Sequence, residues 1–203
     1  MANSLLFGIQ TNGIKHTHAD PMPSIDTRFA MVREAGVFDY IDKTPDPHEI
    51  EDFEAARDKY SLPVRAGGWF YALGADEALL DKNLQTGQRL GSIVHNTQIK
   101  LRHSAGHVVS DEEILAAYVM AAELGEKYGC TPCFEVHVNM WSEDFPRISK
   151  VGWMVEARGL EFNMTLDHSH VIFKMDNPGE QKIFYSDKKV ASGVSDVSAY
   201  GTK

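Results

Sequence analysis

The sequence predicts an α/β protein of the (β/α) TIM-barrel type, incomplete at about six βα units. Three observations carry that expectation. Segments of period two alternate with segments of helical period, at about 30 residues per unit, which is the rhythm of βαβ units on a parallel sheet. The fifth and sixth strand segments each have one apolar and one polar face. A parallel strand covered by helices on both sides is apolar on both, so a polar face points to a barrel interior. The pattern stops near Asp176, short of the eight units a closed barrel uses.

In chain order, Leu5 to Thr11 reads as the first strand, with Leu5, Phe7 and Ile9 on one side and Gly8, Gln10 and Asn12 on the other. A loop from Gly13 to Pro23 carries His16 and His18. Ile25, Phe29 and Val32 recur at helical spacing, and Gly36 stands where a C-terminal cap belongs. Val37 to Ile41 is a short strand. Asp46-Pro47 is expected to open the second helix, with proline at the tolerated first position. Leu62 to Ala66 is the third strand and runs into Gly67-Gly68-Trp69-Phe70-Tyr71. Residues 75–90 are a helix, and Ser92 to Leu101 is the fourth strand. Ser110-Asp111-Glu112-Glu113 is a capping box whose acids suit the helix dipole. Ile114, Leu115, Tyr118, Val119 and Ala122 form the stripe behind it, and Gly129 ends it. Cys133 to Val138 is strand five, Ser142 to Arg158 helix five, and Leu160 to Asp167 strand six. The expected barrel domain spans residues 1–180, and residues 181–203 read as a weakly structured tail without an apolar stripe. A doubly wound open sheet is the structural alternative, because its ligand crevice also lies at strand C-termini.

The chain has 203 residues, 43% of them hydrophobic, and a formal net charge of −9. The acids are spread evenly, with 14 acids and 10 bases in residues 1–100 and 15 and 10 in the remainder. No basic half is available to grip a phosphate backbone, which argues against nucleic acid as a partner. No apolar run approaches the ~18 residues of a membrane span, and the first ten residues lack the charged region of a secretory signal. Two cysteines make no disulfide framework. The expected setting is cytoplasmic. Cys130-Thr131-Pro132-Cys133 precedes a strand rather than opening a helix, so structural thiols are expected there instead of a redox pair.

The chemistry gathers at one end. Glu135 and Asp167 occupy equivalent places on consecutive strands, 32 residues apart, and Asp167-His168-Ser169-His170 follows strand six directly. Any one of these residues alone is more often an ion pair, a cap or a solvated group. Together, on the inner face of a barrel, carboxylates are costly without a cation. Carboxylates with a neutral imidazole suit Mn²⁺, Mg²⁺, Co²⁺ or Zn²⁺. His137 shares the face of Glu135 and is placed to bind substrate oxygens or the metal, or to be a hydrogen-bonded core histidine. His168 is a candidate substrate contact or an exposed loop residue. Trp69, after two glycines, is placed either to wall a sugar pocket or to pack. His95, His103 and His107 flank strand four in a register the sequence leaves ambiguous.

Phe134-Glu135-Val136-His137 and Leu166-Asp167-His168-Ser169-His170 together resemble the strand ends of the xylose isomerase-like TIM-barrel superfamily, over roughly residues 4–180. That superfamily includes sugar isomerases, ketose 3-epimerases, inosose dehydratases and the type IV apurinic endonucleases. The resemblance implies Glu135 and Asp167 as metal ligands and His170 as a ligand or substrate contact. For a small-molecule sugar, Glu135 is the expected catalytic base, and His137, Trp69 and His168 are the expected substrate contacts by their positions. The family's later ligands have no counterpart here. The implied function is a divalent-metal-dependent isomerase or epimerase of sugars or sugar phosphates, acting through an enediolate. The alternative is a metal-dependent phosphodiesterase of the apurinic endonuclease IV type. The two open edges of a six-strand sheet, and the apolar Phe162, Met164 and Leu166 without a following helix to cover them, predict a homo-oligomer, and the two ligand positions missing from the family's set predict weak cation affinity.

Overall fold

The computed structural model describes residues 5–14 and 21–171. His16, His18 and the tail from 181 onward lie outside the described residues. Six strands form one parallel sheet in sequential order: β1 (Gly8–Gln10), β2 (Tyr40–Asp42), β3 (Val64–Tyr71), β4 (Val94–Ile99), β5 (Thr131–Val136) and β6 (Met164–Leu166). The order never reverses, which removes the doubly wound alternative: that architecture needs a switch point. Right-handed crossovers in a sequential order place every helix on one face of the sheet. The helices α1 (Ile25–Ala35), α2 (Ile50–Tyr60), α3 (Glu77–Leu90), α4 (Asp111–Tyr128) and α5 (Phe145–Glu156) accordingly pack each against the next.

The sheet curls. The Thr165 hydroxyl of β6 donates to Asn96 Oδ1 of β4 at 2.5 Å, across the intervening β5. Strands lie about 4.8 Å apart, so a flat sheet would hold these two short side chains out of reach. The result is an incomplete barrel of about six βα units. Its convex side carries two apolar clusters. One joins Ile25, Phe29 and Val32 of α1 to Ile41, Phe53 and Val64. The other joins Leu80 and Leu84 of α3 to Tyr118, Phe134, Trp141, Val151 and Val155.

Most helix ends follow local chemistry. Ser110 and Glu113 form the reciprocal capping box at the start of α4. Gly36 and Gly129 terminate their helices at φ 66° and 67°, a left-handed conformation in which a Cβ would be strained. Several boundaries differ from expectation, among them β1, β2, β5 and α5, which are shorter or shifted by a few residues, and three others have a local cause. α2 begins at Ile50, because Pro47 and His48 form a separate turn closed by Glu49 N–H donating to the Asp46 carbonyl at 2.9 Å. β3 continues through Gly67-Gly68-Trp69-Phe70-Tyr71, since the lack of a side chain at Gly68 lets Asn96 of β4 pack directly on the backbone. β6 is three residues long, having a partner on one side only among the described residues.

The expected uncovered face of strand six is mostly covered. Phe162 packs on Tyr118 at 5.2 Å between ring centroids and fits over Gly152, and Met164 joins the same cluster. The covering helices are α4 and α5, which precede the strand, rather than a helix that follows it. Tyr118 Oη also donates to the Glu161 carbonyl at 2.7 Å and accepts from Asn163 N–H at 2.6 Å. Leu166 alone among these residues stays open, at 56% exposure.

Candidate active site

The concave face carries the polar alternates of the strands. Gln10, Asp42, Asn96, Gln98, Glu135 and Thr165 line a cavity of about 830 Å³, walled at its mouth by Trp69, Phe70, Asp167 and His168. The alternation that was readable in strands five and six therefore extends across the sheet.

Glu135 is the centre of this surface. It stands on β5 at 6% exposure, and Gln98 Nε2 of β4 donates to its Oε2. Burial raises its carboxyl above the usual range, the Gln98 bond and His137 oppose that, and the charges of Asp167 and Asp42 add to it. The chain beyond β5 holds this strand end in place. Asn139 adopts a left-handed φ of 62° and donates its N–H to Glu143 Oε2 at 2.7 Å; asparagine tolerates that region. The turn Trp141–Glu143 folds back, so that Ser142 Oγ accepts from His137 N–H at 3.2 Å and donates to the Glu135 carbonyl at 2.5 Å.

His137 and His170 stand beside Glu135, and ligand atoms of the three lie within 4.8 Å of one another. The two imidazoles are 3.7 Å apart between centroids, and His137 meets the Phe70 ring edge-on at 5.5 Å. Asp167 lies at the same mouth, on the same side of the sheet as Glu135. Its Oδ1 accepts from Ser169 N–H at 2.8 Å and Ser169 Oγ at 2.6 Å, and its Oδ2 faces His170 Nε2 at 3.5 Å. Burial pushes the Asp167 carboxyl up, but the Ser169 bonds and the His170 charge outweigh it and hold the group below the usual aspartate value. Burial, then the neighbouring His137, lowers His170, against the pull of Asp167. The mouth thus brings together Glu135, His137 and His170, and Asp167 meets His170 without joining that group. His168 is exposed at the rim, and Trp69 is 38% exposed there with Lys43 Nζ at 5.9 Å from its ring.

The sequence reading missed Asp42. It ends β2 on the concave face, level with Gln10. Its Oδ1 is buried without a hydrogen-bond partner among the described residues, and burial raises its carboxyl, with Lys43 opposing. The available signal was its place as the last polar residue of a short strand, matching Glu135. His95 has the opposite fate. It is 2% exposed on the convex side, where its Nε2 pairs with Tyr71 Oη at 2.7 Å, and Asn83 donates to the same hydroxyl at 2.8 Å. Burial lowers its pKa to about 4, so it is a neutral core residue. Cys130 is buried and its thiol is pushed up to about 12 by that burial.

The D-allulose 3-epimerase from Methylomonas sp. superposes with a TM-score of 0.62 at 18% identity, covering 83% of this chain and 64% of that one. The chain has the xylose isomerase-like fold. A 3-keto-D-glucoside 4-epimerase from E. coli matches with a TM-score of 0.61 and 16% identity, over 86% of this chain and 72% of that one. An AP endonuclease of family 2 from Brucella melitensis matches at 0.57 and 12%, over 85% and 76%. No protein-family model and no curated protein sequence matches the chain. The chain spans less than two thirds of the length of the Methylomonas epimerase. No helix among the described residues is long and apolar enough to cross a membrane.

Proposed function

We propose that the cavity binds a sugar or sugar phosphate and that Glu135 moves a proton between adjacent carbons, assisted by a divalent cation. The observation that carries this reading is Glu135 itself: a nearly buried carboxylate, held by Gln98, on the floor of a cavity whose lining includes the amides of Gln10, Asn12, Asn96 and Gln98 and the hydroxyls of Thr44 and Thr165. Such a lining pairs with sugar hydroxyls, while the aromatic Trp69 and Phe70 offer a face to the apolar side of a sugar ring.

Glu135, as carboxylate, takes the proton from the carbon next to the substrate carbonyl, leaving an enediolate. Burial makes it a stronger base than a solvated glutamate, as proton abstraction from carbon requires. Return of the proton to the neighbouring carbon from the same side is isomerisation. Epimerisation needs a second group on the opposite face, and Asp42, three strands away on the same concave surface, is the described carboxylate placed for it. Glu135 and His170 offer oxygen and nitrogen donors close enough to share a cation. When bound, a divalent cation supplies charge stabilisation to the carbonyl and hydroxyl oxygens of the substrate. Gln98 keeps Glu135 oriented, and His168 and Trp69 at the rim contact substrate.

The phosphodiesterase reading is less well supported. The cavity wall holds one base, Lys43, against three carboxylates, and the net charge is −9. A polyanion would be repelled by that surface. The test is a panel of free ketoses, aldoses and their phosphates with Mn²⁺, Mg²⁺, Co²⁺ or Zn²⁺, followed by sugar chromatography, beside a cleavage assay on an abasic duplex. Interconversion of a sugar that is lost in Glu135→Gln supports the reading. Abasic-site cleavage without sugar turnover reverses the ranking.

A further inference from the structure

We propose that Glu135, His137 and His170 form a three-ligand site for a nitrogen-seeking divalent cation, Zn²⁺ or Co²⁺, and that Asp167 positions His170 from behind instead of ligating the ion. This rests on reading the mouth as a metal-assisted site, and it alters the ligand set that the fold resemblance implies, in which Asp167 is a ligand and His137 is not.

Two independent observations carry it. The first is convergence: ligand atoms of these three residues lie within 4.8 Å of one another, with Glu135 on β5, His137 just beyond it and His170 on the turn after β6. The second is the state of the atoms facing away. His137 Nδ1 is 2.7 Å from the Val138 carbonyl oxygen. A carbonyl only accepts, so Nδ1 carries the proton and Nε2 presents its lone pair. His170 Nε2 lies 3.5 Å from Asp167 Oδ2, an electrostatic contact that favours a proton on that nitrogen and leaves Nδ1 to serve as the ligand atom. Glu135 Oε2 is engaged by Gln98, and the second oxygen remains for the ion. Glu135 and His137 thus each have one side fixed by a hydrogen-bonding partner, and His170 has one side facing the Asp167 carboxylate. Imidazoles that ligate metals characteristically donate their second N–H to a backbone carbonyl or a carboxylate, which sets the tautomer and the ring orientation.

Asp167 is occupied by that outer role. Its Oδ1 already accepts two hydrogen bonds from Ser169, and its Oδ2 faces the back of His170. The remaining set, two nitrogens and one carboxylate oxygen, favours Zn²⁺ or Co²⁺. Mg²⁺ prefers oxygen ligands in an octahedron and keeps its waters.

The experiment uses the full 203-residue chain, stripped with a chelator and titrated calorimetrically with Zn²⁺, Co²⁺ and Mg²⁺, with the visible absorption of Co²⁺ reporting coordination. One Zn²⁺ per chain is expected, and excess Mg²⁺ should leave the Co²⁺ spectrum unchanged. Asp167→Asn should weaken Zn²⁺ about 10- to 100-fold, the usual cost of removing an outer partner, and His137→Ala should weaken it further. Because a variant can fail to fold, the wild-type histidine ring nitrogens are also followed by NMR. His137 should show the Nδ1-protonated tautomer, with its Nε2 resonance shifting on Zn²⁺ addition. The proposal is overturned by displacement of Co²⁺ by Mg²⁺, by Asp167→Ala costing more affinity than His137→Ala, by the reverse His137 tautomer, or by an absence of Zn²⁺ binding. The sugar reading fails separately. Zinc bound through His137 with no sugar turnover would remove that reading alone, while a Mg²⁺-dependent sugar isomerase indifferent to His137→Ala would remove this one alone.

Discussion

Asp144 should be a stability cost that the fold carries at neutral pH, and replacing it should expose that cost. The residue is 0% exposed, at the start of α5, and neither carboxylate oxygen has a hydrogen-bond partner among the described residues. Burial is the main cause that lifts its carboxyl from 3.8 to about 6. Arg147 pulls the other way, and Asp111 and Glu143 add to the rise. A carboxyl whose folded value lies above its unfolded value takes up a proton on folding. Stability is therefore undiminished below the unfolded value, falls as pH rises from 3.8 to about 6, and stays lowered above that. The gap corresponds to about 3 kcal/mol. In Asp144→Asn that pH-dependent part is gone. The asparagine amide leaves a polar group in the same place, so the offset between the two proteins at one pH mixes two effects. The change in that offset between about pH 4 and pH 8 isolates the charge. The assay is thermal unfolding of both proteins across that range. The variant should gain on the wild type by about 6–12 °C in Tm from the acid to the alkaline end, at 2–4 °C per kcal/mol for a chain of this size. A difference in Tm that is flat with pH, or that narrows as pH rises, would refute the reasoning.

Other perturbations test separate parts of the structure. Ser110→Ala removes the cap on Glu113 N–H and half of the reciprocal box; it should cost about 1 kcal/mol, seen as a lower midpoint in urea with an unchanged slope. Phe134→Ala empties a fully buried site between Tyr118 and Trp141; it should cost about 3–5 kcal/mol and change the Trp141 fluorescence. Asp42→Asn should raise thermal stability at pH values where the half-buried carboxylate is charged, and lose that advantage below the unfolded aspartate range. The same variant should bind sugars less well, as read by calorimetry.

The repeating architecture was legible because its signals are local. The capping box at Ser110, the glycines at 36 and 129 and the alternation in strands five and six each specify a piece of backbone without reference to the rest of the chain. The polar face of those two strands was enough to choose a curled sheet over a doubly wound one. What the sequence did not show depends on neighbours distant in the chain. The length of β3 depends on Asn96 packing against Gly68, 28 residues later. The cover over Phe162 and Met164 comes from helices earlier in the chain, α4 and α5, which the residues after strand six do not reveal. His95 sits on the convex side because β4 pairs in register with β3, and the alternation within residues 92–101 does not by itself say which face is inward. Within the site, Glu135, Asp167, His168 and His170 stood out as polar residues at strand ends. Asp42 was hidden by the brevity of β2. The partners that fix the imidazoles, the Val138 carbonyl and Asp167 Oδ2, are matters of atomic geometry that no spacing encodes.

The central claim is that Glu135 exchanges a proton with carbon, and solvent deuterium tests it most directly. The chain, supplied with divalent metal and incubated in D₂O with a panel of ketoses and aldoses, is followed by NMR for deuterium at the carbon next to the carbonyl. This reads proton transfer even where net conversion is small. The account predicts incorporation at that carbon for at least one sugar, abolished in Glu135→Gln while the variant stays folded and retains sugar binding. Incorporation that persists undiminished in folded Glu135→Gln, or none with any sugar under any of the metals, would contradict it.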